Sequence, residues 1–342
     1  MTIKKILFLS HDPGGHDVIK PLVDRAEILN LPHSFYGTHT DVVQSGTKFD
    51  YTATLSKIEV ELANNEFCGL VTGTSWGSSL EQTVIQLFEY KGVPTLTVLD
   101  YWSNYMERLE IQDKAHIFPT YYIVMDEIAR EEAVDHGVPE SIIRVLGHPG
   151  MDTIIQRSQS QIKSGRHLIS DTTMKVLFLS QPLSVLYGNE LGFTEKDAIE
   201  DCLSFFTNNH HYTFDIKLHP KDQEYLKVLY KERLVEGQLL DLLPNYHLII
   251  GMSTMGLLHS YLMGVPALSY QPNLQGNDTS ITSKLNLLPA FYTKEKLYDF
   301  FNSSLVDYIN LYEIKLKKNQ LLWLDGNSTV RVIAFIKEVF SL

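Results

Sequence analysis

Short apolar runs alternate along this chain with longer stretches in which apolar residues return every three or four positions. That alternation predicts strands joined by helices, and so a parallel α/β architecture. In the first half the runs are Lys5 to Ser10 (KILFLS), Phe67 to Thr72 (FCGLVT), Thr95 to Leu99 and Tyr121 to Met125. A helical pattern follows the first run from Ile19, Leu22 and Val23. A second spans Leu80 to Tyr90, opened by a Ser78/Glu81 capping box and closed by Gly92-Val93-Pro94, and a third spans Asp126 to His136, stopped by Gly137.

The pattern then restarts. Lys175 to Leu179 (KVLFL) echoes Lys5 to Leu9 (KILFL), and Asp197 to Phe206 reads as an amphipathic helix. Phe214 to Leu218 reads as a strand ending in His219-Pro220-Lys221-Asp222, with a helix through Leu234 behind it. The clearest unit is His247 to Gln271. There an apolar run ends in Gly251-Met252-Ser253-Thr254, a helical segment closes on Gly264, and a second run, Ala267 to Tyr270, follows. Pro272 to Pro289 reads as a long loop, and Ser328 to Phe340 carries the apolar stripe of a terminal helix.

A chain of 342 residues exceeds one typical core. The polar, Ser- and Gln-rich stretch Arg157 to Thr173 is the candidate linker. The expected fold is α/β, with two Rossmann-like domains, residues 1–160 and 170–325, facing a central cleft. Residues 326–342 are expected to form a helix packing back on the first domain.

Composition narrows the function. A formal charge of −12 and the lack of a basic stripe argue against nucleic acid as a partner. No apolar stretch is long enough to span a bilayer, and Met1-Thr2-Ile3-Lys4-Lys5 leads straight into a strand, so a cytoplasmic location is expected. Two distant cysteines, Cys68 and Cys202, suggest core residues rather than a disulfide or a thiolate metal site. There is no DxD or HExxH pattern, and the pair His210-His211 runs almost directly into a strand, so neither a metal nor a cofactor is expected.

The chemistry gathers where the strands end. In a parallel unit the exit of a strand meets the N-terminus of the next helix, whose unpaired N–H groups favour a phosphate. Ser253 and Thr254 stand at such an exit, where a phosphate would bind; Gln181 follows the fifth of these runs, and Lys217 lies near the end of the sixth with His219 and Pro220 behind it. The first exit, His11-Asp12-Pro13-Gly14-Gly15-His16-Asp17, reads either as a polar turn with Asp17 capping the helix or as a functional loop. On the functional reading Asp12 is the first choice of general base and His16 the second. Asp100 to Arg108 (DYWSNYMER) reads as a sugar-binding wall, with Asp100, Tyr101, Trp102 and Arg108 in contact with the sugar, or as a partly buried aromatic loop. Arg108 would suit a sugar carboxylate. His148, in the crossing between the domains, reads as structural or catalytic.

These motifs, in this order, resemble the two-Rossmann-domain glycosyltransferases of the GT-B fold and the UDP-N-acetylglucosamine 2-epimerases that share it. The loop HDPGGHDVIKPL is similar to the Gly-rich first loop of GT-B transferases, which faces the acceptor, and the resemblance implies that His11, Gly14 and Gly15 do so here. Gly137-Val138-Pro139 through Val145-Leu146-Gly147-His148-Pro149-Gly150-Met151-Asp152 is similar to the superfamily's crossing into the second domain. Lys217-Leu218-His219-Pro220 and Ser253-Thr254 are similar to the His-Pro and Ser/Thr motifs of bacterial sialyl-, polysialyl- and Kdo-type transferases and CDP-glycerol polymerases, where they bind nucleotide phosphates and base, and the resemblance makes Gln181, Lys217, His219, Pro220, Ser253 and Thr254 the candidate nucleotide-phosphate residues.

The Gly-Gly-x-x-x-x-Glu loop of epimerases is replaced here by Gly251-Met252-Ser253-Thr254-Met255-Gly256. The Asp/Glu-Asp/Glu-Gly motif of classical sialyltransferases is also missing. The resemblance implies a metal-independent glycosyltransferase moving a sugar from a nucleotide donor to a surface polysaccharide, glycolipid or glycan. A CMP-activated acidic sugar is the favoured donor and a UDP-sugar the other. The alternatives are a nucleotide-sugar 2-epimerase or hydrolase of the same fold, or a non-catalytic nucleotide-sugar binding protein. A lipid-linked acceptor would bring the chain to the inner face of the membrane, although no basic amphipathic helix stands out.

Overall fold

Both faces of the first strand are buried, as an unbroken apolar run requires in a parallel sheet covered by helices on either side. The computed structural model describes residues 3–37, 51–75, 79–111, 115–164, 173–312 and 321–342. Strand β1, Lys5–Ser10, sends Ile6 and Phe8 into one layer and Leu7 and Leu9 into the other. The chain divides into two compact units: Met1–Thr153 with Lys317–Leu342, and Ile154–Leu316.

The first unit continues with β2 (His33–Gly37), β3 (Phe67–Thr72), β4 (Thr95–Val98), β5 (Tyr121–Val124) and β6 (Ile143–Val145). The sheet order is β2-β1-β3-β4-β5-β6, and every neighbouring pair is parallel. The order reverses between β1 and β3, which makes their carboxyl ends the topological switch point. Helix Leu80–Tyr90 lies where its pattern places it; Ser78 of the expected capping box lies outside the described residues.

The terminal helix Ser328–Phe340 packs Val332, Ile333, Ile336 and Phe340 against Ile6, Phe8 and Val71 of this unit. A side chain at Gly69 would collide with the Phe340 ring, at 2.2 Å from Cζ. Ahead of that helix, Trp323 donates its indole N–H to Asp126 at 3.0 Å, and Trp102 donates to the same carboxylate at 2.9 Å.

Two expectations change here. The stretch HDPGGHD is not a loop: helix Pro13–Ile28 starts at its proline, whose fixed φ and missing N–H suit the first helical position. Asp12 therefore takes the N-cap position, and Asp17 lies inside the helix rather than capping it. Gly14 and Gly15 fall in the first turn because backbones cross there: a Cβ on Gly15 would lie 2.6 Å from the Thr74 carbonyl oxygen, and one on Gly73 2.6 Å from Gly15 Cα.

The second unit contains β7 (Met174–Leu179), β8 (Tyr212–Lys217), β9 (Leu248–Gly251), β10 (Ala267–Tyr270) and β11 (Ala290–Phe291), in the order β11-β10-β9-β7-β8, all parallel. Its switch point lies between β7 and β9. Gly264 ends helix Met255–Leu262 at φ +72°, as its position after the apolar pattern suggests.

The expected linker is helical in its first part, since helix Pro149–Ser164 runs through Arg157; residues 165–172 lie outside the described residues. The helix behind His219 is shorter than expected, Glu224–Leu229, because the chain tightens into a 3-10 turn at Lys231–Arg233. The Pro272 to Pro289 loop contains one short helix, Ile281–Lys284. Among the described residues no helix is long and apolar enough to cross a membrane.

Candidate active site

In the second unit, strand register brings three of the singled-out exits side by side. Leu179 at the end of β7 pairs with Lys217 on one side and with Gly251 on the other, so the residues beyond these three strands emerge at one level. Gln181 bridges the switch point: its Oε1 accepts the backbone N–H of Ser253 at 2.8 Å. Thr254 caps helix Met255–Leu262, its Oγ1 accepting the Gly256 N–H at 3.2 Å. The N-terminus of that helix, with its positive dipole end, thus opens beside Gln181 and Ser253.

His219 stands at the β8 exit. Its Nδ1 accepts the Lys221 backbone N–H at 3.1 Å, so the proton of the neutral ring is on Nε2, which is then a donor. Partial burial, together with the positive charges of Lys221 and Lys217, pushes its pKa below the ordinary histidine value. Partial burial also pushes the Lys217 ammonium down. Asp222 holds the turn by accepting the His219 backbone N–H at 2.8 Å, and burial pushes its carboxyl up. Pro220 is exposed on the same turn. Lys217, His219, Gln181, Ser253 and Thr254 therefore stand at the ends of three adjacent strands, and among them are one cationic and several neutral donors.

The first unit concentrates polar groups at its own switch point. His11 and Asp12 leave β1 with the His11 ring 3.6 Å from the Asp12 carboxylate. Thr74 and Ser75 leave β3. Asp100, beyond β4, accepts from the Thr74 hydroxyl and from Arg108, and Arg108 also donates to Thr74 Oγ1 at 2.9 Å and to the Ser103 carbonyl at 3.1 Å. Gly14 stands directly against this carboxylate: a Cβ there would meet Asp100 Oδ2. His148 donates from Nε2 to the Asp100 carbonyl at 3.0 Å, since a carbonyl can only accept.

Three expectations are corrected by burial. Trp102 is fully buried, its indole committed to Asp126 and its ring stacked on His148, so it has no face to offer a sugar. Arg108 is 8% exposed and spent on Asp100, Thr74 and Ser103, which makes it a brace for Asp100 rather than a contact for a ligand carboxylate. His16 is buried against Phe35, with Nδ1 3.4 Å from Ser10 Oγ, and so points into the unit. Tyr101 stays partly exposed, as do Asp12 and Asp100.

Glu81 is the group the sequence did not flag. It is 1% exposed, and its two oxygens accept the His11 backbone N–H and the Ser75 hydroxyl, each at 2.7 Å. Burial pushes its carboxyl above the usual range. The available signal was an acid in the first turn of the helix behind a Ser/Thr-rich strand exit, which the capping-box pattern absorbed.

Two doubly wound parallel sheets in succession are the fold of the GT-B superfamily, and this chain has that fold. No protein-family model matches the sequence, and no curated protein matches it. Solved structures do. UDP-GlcNAc 2-epimerase from Neisseria meningitidis, bound to UDP-GlcNAc, is similar with a TM-score of 0.70 at 13% identity, over 98% of this chain and 100% of that one. The Methanocaldococcus jannaschii UDP-GlcNAc 2-epimerase in complex with UDP-GlcNAc and UDP gives 0.66 at 14% identity, over 98% and 99%. The wall teichoic acid polymerase TagF gives 0.56 at 12% identity, over 99% and 89%.

Proposed function

We propose that this chain is an enzyme acting on nucleotide sugars, and specifically a metal-independent glycosyltransferase. The observation that supports this reading is the strand register of the second unit, which sets Gln181, Lys217, His219, Ser253 and Thr254 at one level around a topological switch point. In this reading Lys217 and the Nε2–H of His219 take the charge that develops on the leaving phosphate. The hydroxyls of Ser253 and Thr254 and the N-terminus of helix Met255–Leu262 add neutral donors.

On the first unit, Asp12 is the acceptor-side base. As the acceptor hydroxyl oxygen bonds to the anomeric carbon, the bond from that carbon to the phosphate oxygen breaks, and the hydroxyl proton passes to the Asp12 carboxylate. Asp100, braced by Arg108 and Thr74, would orient the acceptor together with His11 and Tyr101. The acceptor is a carbohydrate or glycolipid, and no metal or cofactor takes part.

The second reading is a nucleotide-sugar 2-epimerase or hydrolase, favoured by the epimerases among the similar structures. One screen separates the two. The protein is titrated by calorimetry and thermal shift with CMP, CDP, UDP, GDP and ADP, with and without a divalent metal; a ligand at a hundred times its Kd stabilises by about 2.7 kcal/mol. The matching nucleotide sugar is then incubated without an acceptor. Metal-independent binding of one nucleotide, lost in His219→Ala and Ser253→Ala, with no turnover until an acceptor is added, is the transferase outcome. A changed sugar nucleotide without acceptor is the epimerase outcome, and no binding by any nucleotide defeats both.

A further inference from the structure

The two turns of the first unit's switch point are tied together by one buried side chain. Helix Leu80–Tyr90 carries Glu81 in its first turn, and from there its carboxylate reaches the His11 N–H beyond β1 and the Ser75 hydroxyl beyond β3. On the other side of the same crossing, Gly15 and Gly73 meet backbone to backbone with no room for a side chain. The β1 exit is thus held from both sides, by a steric stop and by a hydrogen-bonded strap. The His11 N–H belongs to the Ser10–His11 peptide, so the bond to it holds the backbone one residue ahead of Asp12.

We propose that Glu81 is a positioning residue, setting the backbone of His11 and hence the place of the Asp12 carboxylate. The proposal rests on Asp12 being the acceptor-side base. At 1% exposure Glu81 has no surface with which to touch a substrate, so its effect passes through the turn. A carboxylate offers two separate acceptor atoms, and here each of the two donors has its own oxygen. A buried ionisable group is also a poor source of stability, since an apolar residue of similar volume is often as good for the fold. Its value here is geometric.

The test compares wild type with Glu81→Leu and Glu81→Gln in three readouts: hydrogen exchange at the His11 amide, kcat with the nucleotide sugar found above, and nucleotide Kd. Glu81→Leu removes both acceptors. Exchange at His11 is expected to rise at least about tenfold, and kcat to fall about a hundredfold, the scale of an ångström's misplacement of a reacting group. Nucleotide Kd should stay within about twofold, because the nucleotide residues lie on the second sheet. Glu81→Gln keeps an oxygen for the His11 N–H and can donate to Ser75, so exchange should return near wild type and kcat to within about tenfold of it.

Unchanged kcat or unchanged His11 exchange in Glu81→Leu overturns the proposal. So does a nucleotide Kd that weakens in step with kcat, which marks a general structural loss. If Glu81→Leu does not fold, Ser75→Ala removes one of the two ties and carries the same comparison, with an expected kcat loss of about threefold to tenfold. A wild-type protein that turns over no nucleotide sugar defeats the functional reading instead, and the strap is then judged on His11 exchange alone.

Discussion

Gln181 occupies, with its Oε1, the Ser253 N–H that a phosphate oxygen would use, at 2.8 Å. A neutral amide can be displaced or turned to present its own N–H. A carboxylate in the same place would repel the ligand. Gln181→Glu should therefore move two quantities in opposite directions. The ligand-free protein gains a charge-assisted bond beside a helix N-terminus and should melt at the same or a higher temperature. Nucleotide affinity should drop at least about tenfold, the price of about 1.4 kcal/mol of like-charge repulsion. Calorimetry of wild type and variant checks both; undiminished affinity would remove Gln181 from the phosphate site.

His148 makes stability depend on pH with a definite sign. It is 4% exposed, stacked on Trp102 with the rings 15° apart, and its Nδ1 has no hydrogen-bond partner among the described residues. Burial pushes its pKa below the ordinary value of about 6.5. In the unfolded chain the ring takes a proton below about pH 6.5, whereas in the folded chain it resists doing so, so the unfolded state gains as pH falls. The stability His148 contributes is present above that pH and is lost on acidification through the folded pKa. The melting-temperature gap between wild type and His148→Gln should be larger at pH 8 than at pH 5. A gap that widens toward acid would contradict this account.

Asp152 caps a helix that begins 176 positions further along the chain. Its Oδ1 accepts the Ser328 N–H at 3.1 Å and its Oδ2 the Thr329 N–H at 2.7 Å, while Asn327 at the N-cap position makes no capping bond, its side-chain amide donating back to the Asp325 carbonyl at 3.0 Å. Two charge-assisted bonds at the positive end of a helix, both with little exposure, should contribute about 2–3 kcal/mol. Asp152→Ala should lower the urea midpoint accordingly, with the slope of the transition unchanged. A loss under about 0.5 kcal/mol would mean that the packing of Val332, Ile336 and Phe340 holds this helix unaided.

What could be read from the chain depended on how far apart the deciding partners lie. Strands β1 and β3 and helices Leu80–Tyr90 and Ser328–Phe340 were legible because a local apolar period encodes them. β2 escaped because the sequence HSFYG, only partly buried at the sheet edge, has no apolar run, and helix Tyr51–Ala63 escaped because it buries only Ile58 and Leu62. In the site, the strand exits carrying Gln181, His219 and Ser253 were visible as polar breaks behind apolar runs. Trp102 and Arg108 were misjudged because their burial is decided by Asp126, His148, Asp100 and Thr74, which a reading by spacing cannot bring near. Glu81 was hidden for the same reason: its partner His11 lies 70 positions away.

Asp100 and Arg108 form a buried ion pair whose two roles can be separated. Their side chains are 13% and 8% exposed, and Thr74 is bound to both. Removing the cation alone strands a carboxylate in a poorly solvated place, and Arg108→Leu should cost about 3–5 kcal/mol of stability. Neutralising the partner as well removes that penalty, so Asp100→Asn combined with Arg108→Leu should recover most of the loss, a coupling a double-mutant cycle measures directly. Activity should not recover with stability, because the carboxylate that would orient the acceptor is gone. The choice of acceptor then shows what Arg108 does. A brace for Asp100 predicts that Arg108→Leu lowers kcat/KM by the same factor for neutral and for carboxylate-bearing acceptors. A selective loss with the carboxylated acceptor would restore Arg108 as a ligand contact and require its side chain to leave Asp100 when the acceptor binds.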